Sequence, residues 1–319
     1  MAERKAWVTL VTESSYLKGL QCLARSLKLV QTAHPLIVLH PDTSIDTSTG
    51  QPKEKTSLTE EDLELIEKEG CELKAIERIH PINKRKEYLW DYYQDTWTKL
   101  RVWNLEEYDR VVFLDADMLI MKNIDHLMNM KMPKDFLAAA NACTCNPRKK
   151  PDYPKDWIPS SCAYTLGPIK PESEDTPPSI ELKGYFNSGL LVLTPSKQIF
   201  KDLLNYFYNH PNINSLNFPD QDLLNEFFKG KWVPITYTYN ALKLLRTCHA
   251  PMWDDRVIRN VHYIMSDKPW KKEIIDFEQE FEDVKKTGNQ EEISLFILNS
   301  WWWKVYKGIE FKIEDDYLI

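Results

Sequence analysis

The stretch Arg110–Ile120, RVVFLDADMLI, constrains this chain more than any other. Four apolar residues, Val111 to Leu114, run into two carboxylates one residue apart, Asp115 and Asp117, before apolar sequence resumes. An unbroken apolar run of this kind reads as a strand buried on both faces, in a sheet covered by helices on each side. The acidic pair then falls where the strand emerges, the usual ligand position of an open α/β sheet. Two aspartates at i and i+2 can turn several oxygens toward one hard divalent cation, and such a cation can hold a diphosphate without an all-protein cage. Acidic pairs at strand ends more often cap a helix or face water, so the rest of the chain must supply the support.

The flanking sequence supplies a fold around that strand. Trp7–Thr12 predicts a first strand, and Leu17, Leu20, Leu23, Leu27 and Val30 repeat at helical spacing behind Ser14 or Ser15 as cap. Leu36–Leu39 is a second buried strand running to His40-Pro41-Asp42, a helix follows from about Thr59 to Glu69, and Leu73–Ile76 is a third strand. This βαβαβ order is the mark of a doubly wound sheet with a nucleotide site at its strand ends. Thr96–Tyr108 is predicted helical and delivers the chain into the aspartate strand; Asn123–Met128 reads as a short helix and Phe136–Ala140 as another strand. Cys143–Lys183 is a proline-rich excursion, long enough to be a functional cover, and its Tyr153, Trp157 and Tyr164 favour partial packing. Tyr185–Leu193 returns to strand character with a polar Asn-Ser-Gly set inside it; Pro195–Tyr208 and Asp220–Phe228 are predicted helices, and Arg259–Ile264 a last strand containing His262. Residues 1–270 are expected to form a nucleotide-binding domain with 143–183 as its long loop, which the resemblance given below puts on the acceptor side, and 271–319 a helical extension packed on it. Three successive helical tryptophans, Trp301–Trp303, splay over about 200°, so at least one faces the core.

Composition excludes several alternatives. A net charge of −7 gives no electrostatic footprint for nucleic acid or an anionic membrane, and no run approaches the length of a membrane span. MAERKAWVTL leaves no room for a signal peptide ahead of the first strand, and the six cysteines are scattered, so a cytoplasmic protein with reduced thiols is expected. Cys143, Cys145 and Cys162 lack the paired spacing of a zinc site. There is no glycine-rich phosphate loop and no H-E-x-x-H; phosphates must be held by metal and side chains.

In order along the chain, VTLVTESSYLKG, TKLRVW, FLDADM, NIDHL, YFNSGLLVL, PDQDLLNEFF and HYIMSDKPW together resemble glycosyltransferase family 8. The resemblance implies a GT-A fold, a UDP-sugar donor, a divalent metal, usually Mn²⁺ with Mg²⁺ as the alternative, and transfer with retention. Within the family, GCELKAIERIHP, NIDHLM, VPITYTYNALKLL and WWWKVY look like the galactinol synthase branch, and more distantly the chain is similar to glycogenin. Carried over, the resemblance puts the metal on Asp115, Asp117 and His262, and the donor against Leu10, Thr12, Tyr16, Ala116, Asn187, Ser188 and Lys268, with Lys268 on the diphosphate. Glu13 stands where the glycogenin branch has an asparagine. Lys99, Asp220 and Gln221 are the implied catalytic groups, Asp220 either as nucleophile or, with Gln221, as stabiliser of an oxocarbenium-like sugar under front-face attack. The implied acceptor is a small polyol, myo-inositol in that branch, with UDP-galactose as donor; a UDP-glucose enzyme that modifies its own tyrosine, for which Tyr237 and Tyr239 are candidates, is the alternative. A non-catalytic UDP-sugar-binding module would predict a lost metal ligand. A homodimer is compatible with either.

Overall fold

The structure, a computed structural model, describes residues 3–44, 54, 56–81, 96–165 and 184–311; the 166–183 part of the proline-rich excursion lies outside the described residues. In chain order the first elements are β1 (Lys5–Leu10), α1 (Leu17–Leu29), β2 (Leu36–Pro41), α2 (Glu60–Lys68), β3 (Glu72–Ile76), β4 (Arg110–Leu114), β5 (Met118–Ile120) and β6 (Leu137–Ala140). There follow β7 (Leu190–Leu193), α3 (Lys197–Tyr208), α4 (Pro219–Phe227), β8 (Trp232–Ile235), β9 (Ala241–Leu242), α5 (Leu245–Cys248), β10 (Asn260–His262), α6 (Phe277–Lys286) and α7 (Gln290–Lys307). Seven strands form one sheet in the order β3-β2-β1-β4-β7-β6-β8. β1 runs parallel to β2 and β4, while β7 is antiparallel to both β4 and β6, so the sheet is mixed and mostly parallel.

The apolar run of β4 is explained by what lies on each side of it. Val111 and Phe113 join Ala6 and Val8 in one core, with Trp97, Trp103, Leu203 and Leu223; Val112 and Leu114 join Trp7 and Val38 in the other, with Leu20, Leu23 and Leu27 of α1. Alternate residues of a strand point to opposite faces, so two buried faces require apolar residues at every position. A third core wraps the small sheet β5-β10-β9 with α6 and α7. Trp301, Trp302 and Trp303 are all buried there. α7 ends at Gly308, whose φ of 69° is the left-handed conformation that closes a helix with an N–H donated back to Val305.

Three local expectations shift. Thr96–Asn104 is a 3-10 helix rather than a longer α-helix, and it buries Trp97, Thr98, Lys99, Leu100, Val102 and Trp103, so it is a wedge between layers and not an amphipathic surface helix. Continuous strand pairing begins at Leu190: before it Phe186 makes a single bridge to Asn141, and Asn187 and Ser188 turn to hydrogen bond with α4. Neither Ser14 nor Ser15 caps α1: a 3-10 turn, Ser14–Tyr16, leads into it, and Ser14 bonds Ser57 instead.

Candidate active site

β4 and the antiparallel pair β5–β10 deliver the acidic residues and the histidine to one point. Met118 sits opposite His262 in that pair, so Asp117, one residue earlier, lies beside the imidazole, and Tyr263 donates its backbone N–H to the Asp117 carbonyl at 2.9 Å. His262 Nε2 is 3.2 Å from Asp117 Oδ1 and 3.7 Å from Asp115 Oδ2. The opposite carboxylate oxygens are taken by lysines: Lys268 contacts Asp117 Oδ2, and Lys99 Nζ is 3.0 Å from Asp115 Oδ1 and 2.8 Å from Asp220 Oδ2. Two inward oxygens and one ring nitrogen remain facing each other.

The tautomer of His262 follows from a chain of amides pinned by backbone donors. Gly189 N–H donates to Asn187 Oδ1 (3.0 Å) and Ser188 N–H to Gln221 Oε1 (3.1 Å), which fixes both amide orientations. Asn187 Nδ2 therefore donates to Gln221 Oε1, and Asn240 Nδ2 donates to Asn187 Oδ1, each at 2.9 Å. That leaves Asn240 Oδ1 to accept from His262 Nδ1 at 2.8 Å. With Nδ1 donating to Asn240, the neutral tautomer compatible with this chain carries its lone pair on Nε2, the nitrogen turned toward the two carboxylates. Three acceptors facing one another are stable around a cation, and a hydrogen bond to the far ring nitrogen is how proteins orient a ligating histidine. Asn240 is the site residue that motif reading passed over; its Tyr-Asn context reads as a structural element.

Gly189 is required by the same packing. A Cβ there would lie 2.3 Å from His262 Cε1 and 2.9 Å from Asn187 Oδ1.

The charges set each other's protonation. Burial would lower the Lys99 pKa, but Asp115 and Asp220 outweigh it and raise it above the ordinary lysine range. Burial raises the Asp115 pKa despite Lys99. For Asp117 burial pushes upward, and the Lys268 ammonium beside it overcomes that, so the carboxyl is held well below its usual range. Lys99 is thus neither solvated nor on a helix surface. It is 5 % exposed and bridges the acidic pair to Asp220 at the start of α4, where Ser188 Oγ also donates to Asp220 Oδ2 at 2.9 Å.

A cavity of about 280 Å³ opens onto this cluster, and the metal, donor and catalytic candidates of the sequence line it: Leu10, Thr12 and Tyr16 on one side; Lys99, Asp115, Ala116, Asp117 and His262 at the floor; Asn187, Ser188, Asp220, Gln221 and Lys268 around it. Tyr16 meets Trp270 edge-on at 5.7 Å, with Lys268 Nζ 5.7 Å from its ring centroid. Glu13 also lines the cavity, and its carboxylate is engaged by Ser57 and lies 3.7 Å from Arg78. Another wall is aromatic: Trp157 stacks on Phe218 at 4.8 Å and 12°, with Tyr153 edge-on to both, so two of the loop aromatics named from the sequence meet Phe218, which no motif marked. Tyr237 and Tyr239 are absent from the cavity lining; their hydroxyls bond Met252 O and His126 Nε2.

The glycosyl transferase family 8 profile matches residues 7–273, and the chain belongs to that family. Galactinol synthase 1 of Ajuga reptans is 30 % identical over 99 % of this chain and 85 % of its own length, and galactinol synthase 1 of Solanum lycopersicum 31 % identical over 94 % and 81 %. Among solved structures, the galactosyltransferase LgtC in complex with donor and acceptor sugar analogues shares the fold, with a TM-score of 0.56 at 17 % identity, over 97 % of this chain and 98 % of LgtC. The glycosyltransferase GlyE of Streptococcus pneumoniae TIGR4 aligns with a TM-score of 0.55 at 15 % identity over 98 % of this chain, which spans 62 % of GlyE. The fold is GT-A and the protein is a glycosyltransferase. Among the described residues no helix is long and apolar enough to cross a membrane.

Proposed function

We propose that this protein is a metal-dependent, retaining hexosyltransferase that moves galactose from UDP-galactose to a small polyol of the myo-inositol type. The observation that carries the reading is the Asp115–Asp117–His262 set, whose Nε2 lone pair and two inward oxygens converge within bonding reach of one ion. A mixed nitrogen and oxygen donor set suits Mn²⁺, with Mg²⁺ second. Such an ion, when bound, supplies Lewis-acid stabilisation of the diphosphate leaving group.

The chain's own residues do the rest. Leu10, Thr12 and Tyr16 offer the uridine a wall at the end of β1, and Lys268 brings a positive charge to the side where negative charge develops as the glycosidic C–O bond breaks. Asn187 and Gln221, locked by the amide chain, present fixed polar groups to sugar hydroxyls. Asp220 is ion-paired with Lys99 and accepts from Ser188, which weakens it as a nucleophile and suits it to stabilise positive charge on the sugar. Attack then comes from the face the leaving group departs, the acceptor hydroxyl forming the new C–O bond while its proton passes to the departing phosphate oxygen. The aromatic wall of Tyr153, Trp157 and Phe218 gives the acceptor an apolar surface to lie against. Identity of about 30 % to galactinol synthases over nearly the whole chain supports the donor and acceptor.

The test is product mass spectrometry after incubation with Mn²⁺, UDP-galactose or UDP-glucose, and a polyol panel. The expected product is a hexosyl inositol from UDP-galactose. A ladder of hexoses on the protein itself, or product with no polyol preference, overturns the acceptor assignment; nucleotide binding with no turnover supports a binding module.

A further inference from the structure

A second ligand cluster lies outside the reaction centre, built from residues whose spacing along the chain conceals it. Cys143 and Cys145 follow β6, Cys162 follows a 3-10 turn at Pro159–Ser161, and His249 is the C-cap of α5. His249 Nε2 is 3.2 Å from Cys145 Sγ, 3.5 Å from Cys143 Sγ and 3.6 Å from Cys162 Sγ, and all four atoms lie within 4.8 Å of one another. Zn–S bonds of about 2.3 Å and a Zn–N bond of about 2.0–2.1 Å in a tetrahedron place ligand atoms roughly 3.5–3.8 Å apart. We propose that Cys143, Cys145, Cys162 and His249 form a structural Zn²⁺ site, closed by four protein ligands.

Two other readings fit less well. A disulfide needs sulfurs at about 2.05 Å, whereas the nearby Cys248 Sγ is 3.9 Å from Cys143 Sγ and all six cysteines are free. A set of hydrogen-bonded thiols would not need three sulfurs turned onto a single imidazole nitrogen, which can accept or donate one strong bond. Three soft thiolates and an imidazole select zinc over the hard ions suited to carboxylates.

The place of the site gives it a task. Between Asn146 and Thr165 the described chain has only one 3-10 turn for regular structure, yet Pro147, Lys150, Tyr153 and Trp157 from it wall the cavity. Zinc would tie both ends of that segment to α5, whose Leu245 is packed in the core of α7. The acceptor side of the cavity would then be shaped by a staple that takes no part in the chemistry.

The experiment is metal analysis of the full chain, purified without a metal-affinity step and washed with a millimolar chelator. We expect one zinc per chain, with X-ray absorption reporting three sulfurs and one nitrogen. Cys145→Ser and His249→Ala are expected to lose zinc by about tenfold or more in occupancy, whereas His249→Cys, which restores a thiolate, keeps it. Asp117→Asn separates the two sites and is expected to leave zinc unchanged. Folded wild-type chain with no zinc and six titratable thiols would overturn the site, as would the loss of two thiols to a disulfide. So would zinc that survives Cys145→Ser but disappears in Asp117→Asn.

Discussion

The two ligand clusters differ in nearly every physical respect. Asp115, Asp117 and His262 offer oxygen and nitrogen, sit at the ends of strands, and border an open cavity; Cys143, Cys145, Cys162 and His249 offer sulfur and nitrogen, sit on loops and a helix end, and supply four ligand atoms to the proposed zinc. Open coordination positions serve a reacting ligand, and closed ones serve architecture. The comparison shows how one chain can keep a reactive centre exchangeable while fixing the irregular segment that faces it.

Chelation should expose the difference most strongly. A millimolar chelator is expected to abolish hexosyl transfer reversibly, with Mn²⁺ restoring it, and to leave the thermal midpoint and the zinc content nearly unchanged; parallel loss of both would merge the two sites. Asp117→Asn comes next, since it removes an inward oxygen donor: a fall in kcat/KM of about a hundredfold to a thousandfold is expected with fold retained, measured by UDP release. Lys99→Met should cost both stability and activity, because it strands Asp115 and Asp220, which it now pairs at 3.0 and 2.8 Å. A loss on the order of 3 kcal/mol in denaturant unfolding is expected from breaking a buried pair. Asn240→Ala removes the acceptor that orients His262, together with the donor to Asn187 Oδ1. It is expected to weaken Mn²⁺ affinity by about ten- to a hundredfold, with kcat recovering at saturating metal, which a merely structural defect would not do.

The smallest effect is a pH dependence at Lys243, whose backbone N–H bonds the His262 carbonyl and whose ammonium faces Asp267. Burial, against the pull of Asp267, pushes the Lys243 pKa down to about 8 from 10.5. The unfolded chain holds that proton to higher pH than the folded one, so folding stability rises as pH climbs between these values and is flat in this respect below them. Relative to Lys243→Met, the wild-type chain should gain on the order of 1–3 kcal/mol across that window; an unchanged difference between pH 7.5 and 10.5 would contradict the assignment.

Much of the fold and most of the candidate site were legible because they rest on local pattern and on the motifs of the family. Unbroken apolar runs mark doubly covered strands, and a D-x-D at the end of one marks the site; His262 and Lys268 came from the motif they share. The mixed, mostly parallel sheet was legible through the GT-A resemblance and not through periodicity, since β7 pairs antiparallel through contacts that no hydrophobic pattern encodes. Lys99 reaches the site in the sequence only through the resemblance; its burial depends on the 3-10 wedge and on two distant carboxylates. Asn240 is invisible for a similar reason, because its role exists only through Asn187 and His262. The cysteine cluster was dismissed on spacing, and rightly by that criterion: its fourth ligand stands 87 residues beyond the third. Ligand sets assembled from loops carry no sequence period, only a meeting point.

The central claim is transfer of galactose to a polyol. It is tested most directly by the rate of UDP release from UDP-galactose with Mn²⁺, with and without myo-inositol. The account predicts release that depends on inositol and is faster with UDP-galactose than with UDP-glucose. A rate indifferent to inositol would contradict it.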